Sequence, residues 1–181
     1  MGPRSRARSG GSRVSRNRVP RSSDKLVPPE KAIETTQAWR QSGERIVVAQ
    51  GVFDLLHVGH VRHLTAARAP GTRLVVAVAD DPLAAARTGP GRPVVRARDR
   101  ALLIAALRPV DLVVLVDAAG AGHLLDALRP AVVVSDPDLS GGLDERGAAD
   151  STGRAPAIHD AARAGVRDLV ERVRERYGED A

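Results

Sequence analysis

"RIVVAQGVFDLLHVGHVRHL", residues 45–64, joins a continuous apolar run, a short turn opened by glycine, and two histidines three apart around a second glycine. The run RIVVAQ reads as a buried strand, because a parallel strand covered on both faces is apolar throughout rather than alternating. From His57 onward Val58, Val61, Leu64 and Ala67 recur at helical spacing, and Pro70-Gly71 ends the segment. The stretch is a strand, a turn and a helix. The chain then repeats that unit: RLVVAVA (73–79) reads as a strand and DPLAAAR as a short helix. TGPGRPV follows as an irregular exposed loop, and ARDRALLIAALR (97–108) as an amphipathic helix. DLVVLV, AGHLLDALR and AVVVS continue as strand, helix and strand. Ahead of the first strand, PPEKAIETTQAWRQSG reads as a helix opened by Pro28-Pro29, with Ala32 and Trp39 on one face and Gly43 as its stop. Strands and helices in alternation with short joints predict an α/β fold, a doubly wound parallel sheet with flanking helices and right-handed crossovers. Beyond Ser135 the periodicity fades into loop-like sequence, and GVRDLVERVRERY reads as a final helix.

The 181 residues, 43% of them hydrophobic, suffice for one domain with a core of its own. Trp39, Phe53 and Tyr177 are the only aromatics, so that core is built from Val, Leu, Ile and Ala. The formal charge of +6 is localised: residues 1–22 carry seven arginines and no acid, and the rest of the chain is close to neutral. We read residues 1–24 as a disordered Arg-rich tail, too poor in apolar side chains to offset its ordering entropy, and residues 25–181 as the domain. The tail is a solvated extension or, alternatively, a nucleic-acid arm. The neutral body and the lack of base-stacking aromatics count against a nucleic-acid partner. With no cysteine, disulfides, thiolate catalysis and Cys-type zinc sites are excluded. The absence of a signal-type h-region and of any membrane-length apolar run makes the cytoplasm the expected compartment.

In an open α/β sheet, ligands collect at the carboxyl ends of the strands, where helix N-termini offer free N–H groups and partial positive charge. FDLLHVGH sits at such an exit. A phosphate there would meet the N–H groups of the helix, with Gly59 withholding a Cβ and both His57 and His60 able to reach one set of oxygens. That arrangement suits an oligophosphate whose α-phosphorus gains negative charge during an in-line displacement. A purely structural pair of capping histidines is the plainer alternative. A metal site on His57, His60 and His63 is disfavoured, since about 100° per residue turns the third imidazole about 240° from the first. For Asp54 a turn or N-cap role, for Asp111 a strand-start role, and for Arg92 and Arg100 a solvated surface role are the competing readings.

GVFDLLHVGHVRHL, with RQSGERIVVAQG before it and LVVAVADD, GPGRPV and DRALLIAALRPVDLVV after it, resembles the cytidylyltransferase-like nucleotidyltransferases. These are the HxGH superfamily with a Rossmann-like fold, and within them the chain is most similar to the heptose 1-phosphate adenylyltransferase branch. The resemblance implies an enzyme that transfers a nucleotidyl group, AMP from ATP, to a phosphorylated sugar or polyol and releases pyrophosphate. His57 and His60 would stabilise the pentacoordinate α-phosphate. Gly51, Val52, Phe53, Asp54, Gly59 and Arg100 would serve the nucleotide, and Asp81, Arg92 and Asp138 the acceptor. Mg2+ is implied by the triphosphate chemistry, and a homodimer by the family habit. The chain departs from the branch where Thr88 and Ser135 replace lysines and where Gly165, Val166 and Arg167 replace a Ser-Thr-Thr triplet. Those departures leave a second reading, a paralogue that binds nucleotide or sugar phosphate without turnover.

Overall fold

The structure, a computed structural model, describes residues 21–135; Asp138, the last predicted helix, the replaced triplet and most of the tail lie outside the described residues. Six helices and four strands follow in the order α1 (Ser22–Lys25), α2 (Pro29–Gln41), β1 (Ile46–Gly51), α3 (Val58–Arg68), β2 (Arg73–Ala79), α4 (Asp81–Thr88), α5 (Ala97–Ala105), β3 (Leu112–Val116), α6 (Gly120–Leu128), β4 (Val132–Ser135). The strands form one sheet in the order β3-β2-β1-β4, every pairing parallel, as the apolar runs predict. Residues 22–24, assigned above to the tail, form a helical turn with Lys25 instead. The reason is contact: Leu26 bridges the outer edge of β3 at Val113, the Val27 N–H donates to the Val113 carbonyl (3.0 Å), and Lys25 Nζ donates to the Leu107 carbonyl (3.1 Å). An otherwise open sheet edge is thereby covered.

Because successive strand residues point to opposite faces, β1, β2 and β3 each feed two cores, while β4 feeds one. Val48, Val75, Ala77, Val114 and Val116 pack with Ala32 of α2, Ala84 of α4 and Leu124 and Leu128 of α6. Val47, Ala49, Val76, Val78 and Val113 pack on the other side with Leu64 and Ala67 of α3 and Ala101, Ile104 and Ala105 of α5. Helix α2 stops where the sequence says, since Gly43 takes φ +80° and the Glu44 N–H folds back to the Trp39 carbonyl. Gly71 is fixed by crowding: a Cβ there would lie 2.5 Å from Val47 Cγ2 and 2.8 Å from the Arg45 carbonyl oxygen.

The buried face of α3 differs from the one its valines mark. Val58 and Val61 are exposed, and the buried stripe of α3 is Gly59, His60, His63, Leu64 and Ala67. A row spaced only by threes drifts about 60° per step around a helix, so Val58 has left the core by the time Ala67 enters it.

β1 has β2 on one side, whence the chain runs outward to β3, and β4 on the other, reached by return. The sheet therefore reverses direction between β1 and β4, and the crevice at their carboxyl ends is the ligand position of such folds. Gly51 and Ser135 end those two strands.

Candidate active site

The β1–α3 turn occupies that crevice, and its shape comes from unusual backbone. Phe53 and Leu55 adopt positive φ (54° and 48°), a conformation that side chains disfavour and that persists only where the surroundings over-determine it. Here the surroundings are explicit. Phe53 is buried in the α3/α5 core, and its ring meets His60 edge-on at 5.6 Å between centroids. Val52 is buried on the opposite face of the sheet.

His57 is the N-cap of α3, and the two histidines cap the helix reciprocally. The Gly59 N–H donates to His57 Nδ1 (3.0 Å), and the His57 N–H donates to His60 Nδ1 (3.3 Å). This corrects one expectation: the Gly59 N–H does not wait for a phosphate, because the His57 ring already takes it. The correction sharpens the chemistry. A ring nitrogen that accepts a backbone N–H carries no proton, so in the neutral rings both protons sit on Nε2. The rings lie 4.0 Å apart, tilted by 31°, and Nε2–H is the donor nitrogen of each neutral ring.

Burial lowers the His60 pKa from 6.5 to about 3, with the neighbouring His57 and His63 acting in the same direction and Asp54 opposing them. His60 is a neutral donor at pH 7. Its effect on stability has a definite sign. Between pH 6.5 and about 3 the unfolded chain binds a proton at this site that the folded protein refuses, so stability is complete above pH 6.5 and declines on acidification. We expect a slope of up to about 1.4 kcal/mol per pH unit in the stability of the wild-type protein between pH 6 and 4.5, reduced in His60→Gln, by denaturant titration at each pH. Equal slopes in the two proteins would refute the assignment.

Asp54 binds the turn to a second segment. Burial raises its pKa, but the N–H groups of Val94 and Val95 and the Arg92 guanidinium more than offset this and hold the carboxyl below its ordinary value. Oδ1 accepts from the N–H groups of Leu55 (3.1 Å), Val94 (3.1 Å) and Val95 (3.0 Å), whereas Oδ2 accepts from Arg92 Nη1 (2.8 Å) and again from Val94 (3.0 Å). Asp54 is thus a buried anchor for the 89–95 loop, beyond the simple turn residue that its local sequence allows.

Arg100 is neither solvated nor free to meet phosphate. Its side chain is fully enclosed, with Nε on the Val95 carbonyl (2.8 Å), Nη1 on the Val52 carbonyl (2.5 Å) and Nη2 on Asp81 Oδ1 (2.7 Å). Asp81 Oδ1 also accepts the Ala97 N–H (2.8 Å), so the residue expected to face the acceptor clamps the start of α5. The physical reason is position: Arg100 falls on the buried stripe of α5 with Ala97, Ala101 and Ile104. Asp111 lies before β3 at the opposite end of the sheet, where it accepts the Leu74 N–H (2.7 Å) and pairs with Arg68. Gly51, Val52, Phe53, Asp54, His57, Gly59, His60, Arg92, Asp81 and Arg100 therefore belong to one connected region, in which only some side chains remain available to a ligand.

At the two positions where lysines are replaced, Thr88 donates its hydroxyl to the Ala84 carbonyl (2.8 Å) and Ser135 accepts from Gln50 Nε2 (3.2 Å). Gln50 is a site neighbour that the sequence reading passed over; a polar residue inside the apolar run RIVVAQ was its signal. Hollows of about 440 Å³ and 320 Å³ open beside Asp117 at the end of β3, and neither is lined by Lys or Arg. Among the described residues no group of three or more His, Asp or Glu is placed to hold a metal ion, and no helix is long and apolar enough to cross a membrane.

A parallel sheet whose reversal point carries two imidazoles, each capping the helix that follows, defines a doubly wound α/β domain with its candidate site at the β1–α3 turn. The chain belongs to the cytidylyltransferase-like family, whose model matches residues 48–157. It is 44% identical over 117 residues to the bifunctional protein HldE of Methylobacillus flagellatus, covering 65% of this chain and 24% of that protein. With HldE of Koribacter versatilis it shares 42% identity over 122 residues, covering 67% and 25%. The chain spans about a quarter of the length of these curated relatives. Among solved structures, the lipopolysaccharide core biosynthesis protein from Thermoplasma volcanium GSS1 aligns with a TM-score of 0.46 and 33% identity, covering 50% of this chain and 73% of that one.

Proposed function

We propose that the protein is a nucleotidyltransferase that moves AMP from ATP to the phosphate of a sugar or polyol phosphate, releasing pyrophosphate. The observation that carries this reading is the His57–His60 pair: two rings 4.0 Å apart, each with Nδ1 engaged by a backbone N–H, at the exit of β1. A phosphate oxygen of the acceptor attacks the α-phosphorus, the bond from that phosphorus to the bridging oxygen of the β-phosphate breaks, and pyrophosphate departs with the electron pair. Charge grows on the non-bridging α-oxygens, and Nε2–H donors already oriented stabilise it without reorganising. The chain needs no covalent intermediate for this. Arg92, on the anchored 89–95 loop, is the cation we assign to the acceptor phosphate, since guanidinium pairs well with phosphate. Mg2+ enters as the counter-ion of the triphosphate substrate. The choice of ATP and of a sugar phosphate rests on the sequence resemblance.

The test crosses ATP and CTP with heptose, other sugar and polyol phosphates in the presence of magnesium, reading the nucleotidyl product by mass. A product from one donor and acceptor pair, formed in step with pyrophosphate, supports the reading. Tight binding of nucleotide with no product from any pair would support the non-catalytic module instead.

A further inference from the structure

The two oxygens of the Asp54 carboxylate divide their work. Oδ1 takes three backbone N–H groups, one from the catalytic turn (Leu55) and two from the distant loop (Val94, Val95). Oδ2 accepts from the guanidinium of Arg92 at 2.8 Å and shares the Val94 N–H at 3.0 Å. The carboxylate is 6% exposed and the Arg92 side chain 24%, so Asp54 lies beneath the arginine, with the arginine on the solvent side of the pair. Arg100 closes the same joint from below by bonding the Val52 and Val95 carbonyls, one on each segment. A loop whose glycines Gly89 and Gly91 take φ +90° and +75° is in this way tied at its far end to the turn that carries the histidines.

From this geometry we propose that Asp54 is a positioning residue. It does not touch substrate; it fixes the 92–95 segment against the catalytic turn through Oδ1 and aims the Arg92 guanidinium through Oδ2. The half of the proposal concerning Arg92 rests on the assignment of that side chain to the acceptor phosphate. The half concerning the loop stands on the hydrogen bonds alone.

The division of labour makes the two halves separable. Asp54→Asn can keep an oxygen at the Oδ1 position for the three N–H groups while turning an NH2 group, a donor, toward Arg92 and withdrawing the second acceptor from Val94. Asp54→Ala removes both functions. We expect Arg92→Ala and Asp54→Asn each to lower kcat/KM by roughly tenfold or more, mainly through KM for the acceptor phosphate. The double variant Asp54→Asn/Arg92→Ala is expected within about twofold of Arg92→Ala alone, because Asp54 acts through the arginine. Losses that multiply, or an Asp54→Asn protein equal to wild type, would overturn the assignment. Hydrogen exchange, which needs no substrate, reads the loop directly. The Val95 amide, which Oδ1 alone holds, is expected to exchange at least about tenfold faster in Asp54→Ala than in wild type, and little faster in Asp54→Asn. Unchanged exchange in Asp54→Ala would refute the anchor. Were the protein to transfer no nucleotide, turnover would be silent in every variant, and the cycle would be read as binding of inorganic phosphate, the probe for the acceptor's phosphate, by calorimetry. Failure of the functional reading is thus distinguishable from failure of the positioning role. Should Asp54→Ala not fold, the Asp54→Asn and Arg92→Ala cycle still decides.

Discussion

Alanine at His57 or at His60 is expected to lower nucleotidyl transfer by roughly 10²–10³ in kcat, the usual effect of deleting one preorganised donor to a developing anion. The expectation follows from the capping geometry. Each Nδ1 accepts a main-chain N–H, so each ring is held in one tautomer and one orientation before substrate arrives. Since His60 is neutral in the free protein, its contribution is a directed hydrogen bond, and KM for the triphosphate should change less than kcat. His60→Gln, whose amide NH2 lies near the place of Nε2, is expected to recover part of the loss that His60→Ala shows. Steady-state rates with saturating triphosphate check both statements. A His60→Ala protein with wild-type kcat would remove this residue from the mechanism.

Arg100→Leu is expected to destabilise the fold by about 2–4 kcal/mol, the range for breaking a buried charged network after allowing for the exposure of its partner. The guanidinium donates to two main-chain carbonyls and one carboxylate, and its own side chain is fully enclosed. Leucine fills part of the volume but leaves the carbonyls of Val52 and Val95 facing an apolar group. Asp81 is 44% exposed in its side chain and regains water, which is why the upper end of the usual range is not reached. Thermal unfolding should show a fall of roughly 10 °C. Arg100→Lys is expected to recover little, because an ammonium at the end of a flexible stem cannot span three acceptors in a planar fork. A loss below about 0.5 kcal/mol for Arg100→Leu would mean the network is not formed.

The strands were legible because a parallel sheet covered on both faces needs unbroken apolar runs, and RIVVAQ, RLVVAVA and DLVVLV supply them. The turn was legible because its glycines and histidines sit where such a sheet binds ligands. Side-chain burial was harder to read. In α5 the sequence ARDRALLIAALR suggests a solvated arginine, yet Arg100 lies three residues after Ala97 and four before Ile104, on the buried stripe. In α3 the valines drew attention to the wrong face, since His60 and His63 count as polar in a periodicity although both are buried. The main-chain partners of Asp54 on the loop were not readable: the Val94 N–H lies 40 residues away, and no residue type advertises a backbone donor. The anchoring of the 89–95 loop is a property of tertiary structure.

Exchange of labelled pyrophosphate into the nucleoside triphosphate tests the central claim most directly. Direct displacement at a site organised by His57 and His60 predicts exchange only when the nucleotidyl-transfer partner is present, and none above background in the folded His57→Ala/His60→Ala protein. Exchange without that partner would reveal a covalent nucleotidyl intermediate, and exchange that survives in the double variant would place the chemistry elsewhere.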